Sequence, residues 1–141
     1  MRVLVVDDHR DTADCLARLL RVTDCDVRVA YDGVSALEEA TKFLPDLLLA
    51  DLGMPTMDGN ELARQIRRCR SLDATVLAAL TGYADAEHRE LAAAAGFTEY
   101  VVKPVPFRLI CVLLQRVADR IAASRQMVAV RGAECAPTVM A

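Results

Sequence analysis

The sequence predicts an α/β fold in which a parallel sheet carries helices on both faces. Short apolar runs alternate five times with segments whose apolar residues recur at the helical period. This alternation is typical of βαβ units. Three runs are nearly continuous in Val, Leu, Ala and Ile, as expected for strands that helices cover on both sides.

We expect strands at the short apolar runs and helices at the segments with the helical period. The predicted strands are 3–7, 26–30, 46–51, 75–81 and 99–103. The predicted helices are 10–22, 34–43, 59–69, 85–95 and 106–122. Leu62 and Ile66 lie one turn apart in the third helix, and Pro106 suits a first helical turn.

The connections are short, and right-handed crossovers leave few topologies for five β/α units. The common one is the flavodoxin-like (βα)5 three-layer sandwich, with a five-stranded parallel sheet in the order 2-1-3-4-5. Ligands bind such sheets at the carboxyl edge where the strand order reverses, here between strands 1 and 3. Asp7, Asp8 and Asp51 end those two strands, so topology and charge indicate the same place.

The 141 residues fit one domain, predicted over residues 1–122, and leave no room for a second output domain. Residues 123–141 are small and apolar without a clean period, so we expect a loosely ordered tail.

Composition argues against some partners. The net charge of -3 gives no basic surface of the kind that neutralises a phosphate backbone, so direct nucleic-acid binding is not expected. The densest basic cluster is Arg64, Arg67, Arg68 and Arg70. On a helix these arginines are expected to cover a solvated face, with a partner contact as the alternative.

Five cysteines lack the spacing of a disulfide framework or a metal site, and they are typical of free thiols in a reducing compartment. Met1 and Arg2 lead straight into the first strand, which leaves no room for a signal peptide. No apolar run approaches the roughly 18 residues of a membrane helix. We therefore expect a cytoplasmic protein without a membrane partner.

Polar residues at the ends of four predicted strands form one candidate site. They are Asp7, Asp8, Asp51, Thr81 and Lys103. Three nearby carboxylates repel one another, and a bound cation is the simplest way to keep all of them ionised. A set of oxygen ligands favours Mg²⁺ or Mn²⁺, and Mg²⁺ commonly brings phosphate oxygens with it.

A carboxylate can attack a phosphoryl group and form an acyl phosphate when the charge on the transferring oxygens is neutralised. The Lys103 ammonium and the Thr81 hydroxyl suit that task. Each residue alone is ambiguous: Asp8 could cap helix 10–22, and Asp51 could belong to turn chemistry. Their joint occurrence at strand ends favours one site.

Motifs at these strand ends carry a family resemblance. They are Asp7-Asp8, the loop Asp51-Leu52-Gly53-Met54-Pro55 followed by Met57-Asp58-Gly59, and Lys103-Pro104. In this combination the chain resembles the receiver domain of bacterial two-component response regulators, from residue 2 to about residue 122.

The resemblance implies a role for each site residue. Asp51 is the phosphoacceptor, Asp8 binds Mg²⁺ directly, Asp7 acts mainly through water, and Gly53 lends its backbone carbonyl to the metal. Lys103 neutralises the phosphoryl group, and the peptide bond before Pro104 is usually cis in the family.

The resemblance also implies a switch in which Thr81 moves toward the phosphate and Tyr100 turns inward; a half-exposed strand aromatic is the alternative for Tyr100. Tyr83 lies two residues beyond Thr81, where relatives vary in a way that affects loss of phosphate. Its ring is a candidate shield of the acyl phosphate. His9 either tunes the site or is solvated, and Val105-Pro106 departs from the polar cap that many relatives have.

The expected function is a stand-alone receiver, not an enzyme, with slow self-dephosphorylation at most. It would take its phosphoryl group from a histidine kinase or a histidine phosphotransfer protein and then bind a downstream protein. Apolar residues surround more of helix 106–122 than one core stripe requires. These apolar residues belong either to a wider buried face or to a face that binds a partner. One such partner would be a second copy of the chain, in a dimer through helices 85–95 and 106–122.

Three alternatives differ in what they require. An aspartate-nucleophile phosphohydrolase typically has an acid two residues after its nucleophile, where this chain has Gly53. A receiver-like scaffold that is never phosphorylated usually loses an acid or the lysine, and none is lost here. A flavin-binding protein would need a loop without the acidic residues that follow the first strand.

Overall fold

The structure, a computed structural model, describes the backbone of residues 1–140 and the side chains up to Met127. Within this range the strands are β1 (Arg2–Val6), β2 (Asp26–Ala30), β3 (Leu47–Asp51), β4 (Val76–Thr81) and β5 (Glu99–Val102). The helices are α1 (Arg10–Val22), α2 (Gly33–Phe43), α3 (Gly59–Arg67), α4 (Ala86–Ala95) and α5 (Phe107–Met140). Residues 1–105 form one compact unit that contains the sheet and α1 to α4, and α5 belongs to a second unit.

All strands of the sheet are parallel and lie in the order β2-β1-β3-β4-β5. This confirms the predicted α/β, flavodoxin-like topology. Val6 pairs with Ala50, and Asp51 pairs with Leu80. The carboxyl ends of β1, β3 and β4 therefore reach the same edge of the sheet, where the candidate site lies.

The core of the sheet-containing unit follows from the alternation of side chains along each strand. Leu4 and Val6 of β1 belong to a buried cluster with residues of α2, α3 and α4. Val3 and Val5, equally buried, point to the opposite face, where α1 contacts β1 and β2. Helices thus cover both faces, which explains why β1 is apolar after Arg2.

Four helices are preceded by a capping residue, whose side chain accepts a hydrogen bond from the backbone N–H three residues later. The caps are His9, Asp32, Asp58 and Asp85. His9 caps α1, with its Nδ1 3.3 Å from the Thr12 nitrogen, so the alternative in which Asp8 caps this helix is wrong. Asp8 is left free for other contacts.

Arg67 departs from the predicted solvated face of α3. Its guanidinium donates hydrogen bonds to the carbonyls of Leu72, Thr75 and Gly96, at 3.3, 2.9 and 3.4 Å. Burial lowers the pKa of this group. Arg64, in contrast, is exposed and pairs with Glu61 at 2.9 Å. The basic cluster therefore contains one structural arginine.

The last helix extends beyond residue 122, where the apolar period predicted its end. Residues 122–127 include Ala, Arg, Gln and Met, which are strong helix formers and need no buried face to continue the helix. The loosely ordered tail over residues 123–141 stays a prediction, because its side chains beyond Met127 and the whole of Ala141 lie outside the described residues.

Of the apolar residues on α5, Ile110, Leu113 and Leu114 are buried, whereas Leu109 and Val112 are exposed. The wider buried face and the partner face both remain predictions. In the part of the chain that the structure describes, no helix combines the length and the apolar character that crossing a membrane requires.

Candidate functional site

Three carboxylates meet where β1 and β3 end. Asp7 and Asp8 follow β1, and Asp51 is the last residue of β3. Each offers one oxygen, and these three oxygens lie within 4.8 Å of one another. The Asp7 amide still donates to the Ala30 carbonyl of β2, at 3.2 Å, which holds the backbone in line beyond the strand.

Lys103 brings a positive charge to the same edge from the end of β5. Its ammonium nitrogen lies 3.1 Å from Asp7 Oδ2 and 3.6 Å from Asp51 Oδ1. The Lys103 amide donates to the Thr81 carbonyl at 2.7 Å, and the Lys103–Pro104 peptide bond is cis. Residues separated by most of the chain are thus held together by the parallel strands.

The electrostatic balance at Asp51 opposes ionisation. Burial raises the pKa of the Asp51 carboxyl above its usual value, and the charges of Asp7 and Asp8 add to the rise. The Gly53 amide and the Lys103 ammonium lower the pKa of this carboxyl, but the net shift is still upward. A further positive charge would therefore favour the ionised, nucleophilic form.

The donor set fits a hard divalent cation. Carboxylate oxygens at this spacing suit Mg²⁺ or Mn²⁺, which keep several waters in their coordination shell. Asp7 already accepts from two protein donors, the His9 amide at 2.9 Å and Lys103. Asp8 is exposed and accepts no protein hydrogen bond from the described residues, so its carboxylate is free to bind a metal directly.

The β3–α3 turn packs tightly on Asp51. The Gly53 amide donates to Asp51 Oδ1 at 3.2 Å. The Gly59 amide donates to the Leu52 carbonyl at 3.3 Å, and a Cβ on Gly59 would lie 2.5 Å from the Asp51 carbonyl oxygen. Gly59 is therefore required for the start of α3 to approach the acceptor. The sequence motif contains Gly59, but the steric reason appears only in the structure.

Thr81, Tyr83 and Tyr100 are joined by hydrogen bonds beside the acceptor edge. The Tyr83 amide donates to Thr81 Oγ1 at 3.1 Å, and the Tyr100 hydroxyl donates to the Tyr83 carbonyl at 2.6 Å. Thr81 is buried, and Tyr100 is half-buried against the core. The residues predicted to form the switch are thus in contact through Tyr83.

Two residues of α4 that sequence reasoning missed contact these tyrosines. The Tyr83 ring stacks on the His88 ring, with centroids 4.1 Å apart and planes 6° apart. The Arg89 guanidinium carbon lies 4.8 Å from the centre of the Tyr100 ring. The helical period marks both residues as surface positions, so no sequence signal could have paired them with the tyrosines.

Comparison with known proteins gives a consistent assignment. The family described as "Response regulator receiver domain" matches residues 3–115. An uncharacterized 14.6 kDa protein of Leptolyngbya boryana is 40% identical over 116 residues, which cover 82% of this chain and 88% of that protein. The response regulator MprA of Mycobacterium avium is 38% identical over 104 residues, covering 74% of this chain and 45% of MprA.

The chain therefore spans about half the length of the mycobacterial regulators that it matches. Among solved structures, chemotaxis protein CheY4 of Vibrio cholerae superposes with a TM-score of 0.79 at 31% identity. That alignment covers 82% of this chain and 97% of CheY4. Together with the strand order and the acidic edge, these matches show that the chain belongs to the response regulator receiver domain family.

Proposed function

We propose that this receiver domain accepts a phosphoryl group on Asp51 in a Mg²⁺-dependent reaction. The observation that carries the proposal is the grouping of three carboxylate oxygens within 4.8 Å, with the Lys103 ammonium 3.6 Å from Asp51. Receiver domains are signalling domains that partner with histidine kinases or phosphotransfer proteins. A kinase or phosphotransfer histidine is accordingly the proposed donor.

Asp8, Asp51 and the Gly53 carbonyl would hold the cation, with Asp7 acting through water. The bound cation would neutralise part of the charge on the phosphoryl oxygens. The hydrogen bonds on Asp7 support this division, because both of its oxygens already accept from protein donors.

The reacting group is the Asp51 carboxylate. Among the described residues, the Gly53 amide and the Lys103 ammonium contact its Oδ1. A carboxylate oxygen of Asp51 would act as the nucleophile. Its bond to phosphorus forms while the phosphorus–nitrogen bond of the donor phosphohistidine breaks, and the imidazole takes up a proton from solvent. Lys103 offsets the charge that reaches the acceptor.

After transfer, Thr81 would hydrogen-bond a phosphoryl oxygen and Tyr100 would turn inward. Thr81 is the last residue of β4 and follows Leu80, which pairs with Asp51, and this proximity supports the role. Downstream signalling by protein binding, in the cytoplasm, completes the proposal. The free cysteines Cys15, Cys25, Cys69 and Cys111 are compatible with that compartment.

Turnover of phosphate esters is the weaker alternative. A hydrolase of this type needs an acid near the leaving oxygen, and Gly53 provides only its backbone there. A scaffold without phosphorylation usually loses an acid or the lysine of this site, and both are present here. Slow self-dephosphorylation at most is expected.

The test is incubation of the full chain with Mg²⁺ and acetyl phosphate, followed by intact mass measurement. We expect one added phosphoryl group that is stable to acid and labile to base, and no label after Mg²⁺ is removed with EDTA. Asp51→Asn should abolish labelling.

Asp24→Asn is the matched control, since Asp24 lies at the amino edge of the sheet with φ 68°, a conformation that asparagine tolerates. Equal labelling of Asp51→Asn would refute the assignment, and multiple turnover would favour the hydrolase.

A further inference from the structure

The first half of α4 has little apolar attachment to the rest of its unit. The buried residues of this helix are Ala92 and Ala95, both in its last four positions. Residues 86–91 include no buried side chain. Because segments with few buried apolar contacts open at low free-energy cost, this half of α4 depends on other contacts to stay in place.

Those contacts are made by two consecutive residues. His88 stacks on the Tyr83 ring at 4.1 Å, and Arg89 lies over the Tyr100 ring at 4.8 Å. Aromatic stacking and cation–π contacts are each worth more than their buried area alone. The His88 ring is also oriented by Asp85, whose Oδ2 lies 2.6 Å from Nδ1.

Tyr83, which lies between β4 and α4, is hydrogen-bonded both to Thr81 and to Tyr100. Tyr83 donates its amide to Thr81 Oγ1 and accepts the Tyr100 hydroxyl on its carbonyl. A displacement of Thr81 would therefore reach Tyr83 through one hydrogen bond and Tyr100 through a second. Each tyrosine contacts a different residue of α4, so such a displacement would alter both contacts.

We propose that His88 and Arg89 are positioning residues that clamp the first half of α4 to the two tyrosines, so that a movement of Thr81 or Tyr100 changes how firmly this half-helix is held. The clamp is a property of the unphosphorylated chain. Its response to phosphorylation of Asp51 rests on the proposed function.

The clamp is tested by amide hydrogen exchange of the full, unphosphorylated chain. His88→Asn keeps a polar group beside Asp85 but removes the ring, and Arg89→Gln removes the cation. We expect exchange of residues 86–91 to rise roughly two- to tenfold in each, the range that corresponds to losing one ring contact. His88→Phe keeps the stack and Glu90→Gln alters a neighbouring exposed residue, so both should exchange like the wild type.

The Tyr83 ring resonances should shift in His88→Asn and stay nearly unchanged in Arg89→Gln, a difference that general loss of stability does not produce. Wild-type exchange in both His88→Asn and Arg89→Gln would overturn the clamp.

A second arm repeats the measurement after labelling with Mg²⁺ and acetyl phosphate, where altered exchange of residues 86–91 is expected. Labelled protein without altered exchange would overturn the link to Thr81. Failure of Asp51 to take label would instead reject the proposed function, while the first arm still decides the clamp.

Discussion

The ammonium of Lys103 lies 3.1 Å from Asp7 Oδ2, and this carboxylate is almost fully buried, with 3% of its side chain exposed. The pair joins the end of β1 to the end of β5, which is an edge strand separated from β1 by β3 and β4. A buried carboxylate without a counter-charge is costly, so Lys103 is expected to stabilise the fold as well as the phosphoryl group.

Lys103→Met should therefore destabilise the metal-free protein. We expect a loss of about 1–3 kcal/mol in the free energy of unfolding, less than for a fully buried pair because Lys103 is 31% exposed. Urea unfolding in EDTA measures the loss, and added Mg²⁺ should reduce it by supplying the missing charge. Lys42→Met, at an exposed site on α2, is the control and should stay close to wild type. Equal stability of Lys103→Met and Lys42→Met in EDTA would show that Asp7 does not need the lysine.

Gly59→Ala should be destabilising although alanine is the better helix former. The added Cβ would lie 2.5 Å from the Asp51 carbonyl oxygen and 2.9 Å from the Leu52 Cα, so backbone must move. We expect a loss of about 1–3 kcal/mol, the usual cost of overpacking. Gly82→Ala is the matched control, because nothing lies within 4 Å of its added Cβ. Thermal unfolding of both variants checks this, and similar melting temperatures would contradict the steric argument.

Much of this fold could be predicted because its signals are local. Strands buried on both faces are continuous apolar runs, and chirality rules then leave few topologies, of which the order 2-1-3-4-5 is the common one. The site followed, since the carboxyl ends of parallel strands meet at one edge.

Contacts that depend on the relative placement of elements could not be predicted. Arg67 reaches the carbonyl of Gly96 because α3 and α4 end near each other, which a helical period does not encode. His9 was missed as a cap because Asp8 beside it is the commoner capping type. The stacking of His88 on Tyr83 requires the rotation of α4 about its axis, a property of the packed protein.

The Asp32 cap should make stability depend on pH. Hydrogen bonds from Ser35, first from its amide and then from its hydroxyl, lower the pKa of the Asp32 carboxyl. A carboxyl whose pKa is lower in the folded state stabilises the protein above its unfolded pKa, and this contribution disappears as the pH falls through the folded pKa. Asp32→Asn keeps a capping oxygen without the charge. The wild type should exceed Asp32→Asn in stability near neutral pH, and the difference should shrink as acid is added below about pH 4.

Chemical denaturation of both proteins across this pH range provides the measurement. Asp24→Asn controls for the removal of one negative charge, because Asp24 makes no capping hydrogen bond among the described contacts. A difference between wild type and Asp32→Asn that is constant with pH would mean that the charge of Asp32 makes no contribution.

Tyr83→Ala should shorten the lifetime of phosphate on Asp51. Tyr83, two residues beyond Thr81, is 56% exposed, and its ring stacks on His88. We expect a ring at this position to restrict the approach of water to the acyl phosphate. After the phosphodonor is removed, we expect loss of label to be roughly severalfold faster in Tyr83→Ala. Tyr83→Phe keeps the ring and should decay like the wild type. Because Tyr83→Ala retains the backbone amide and carbonyl that bind Thr81 and Tyr100, a change in lifetime would be due to the ring, and an unchanged lifetime would exclude the shield.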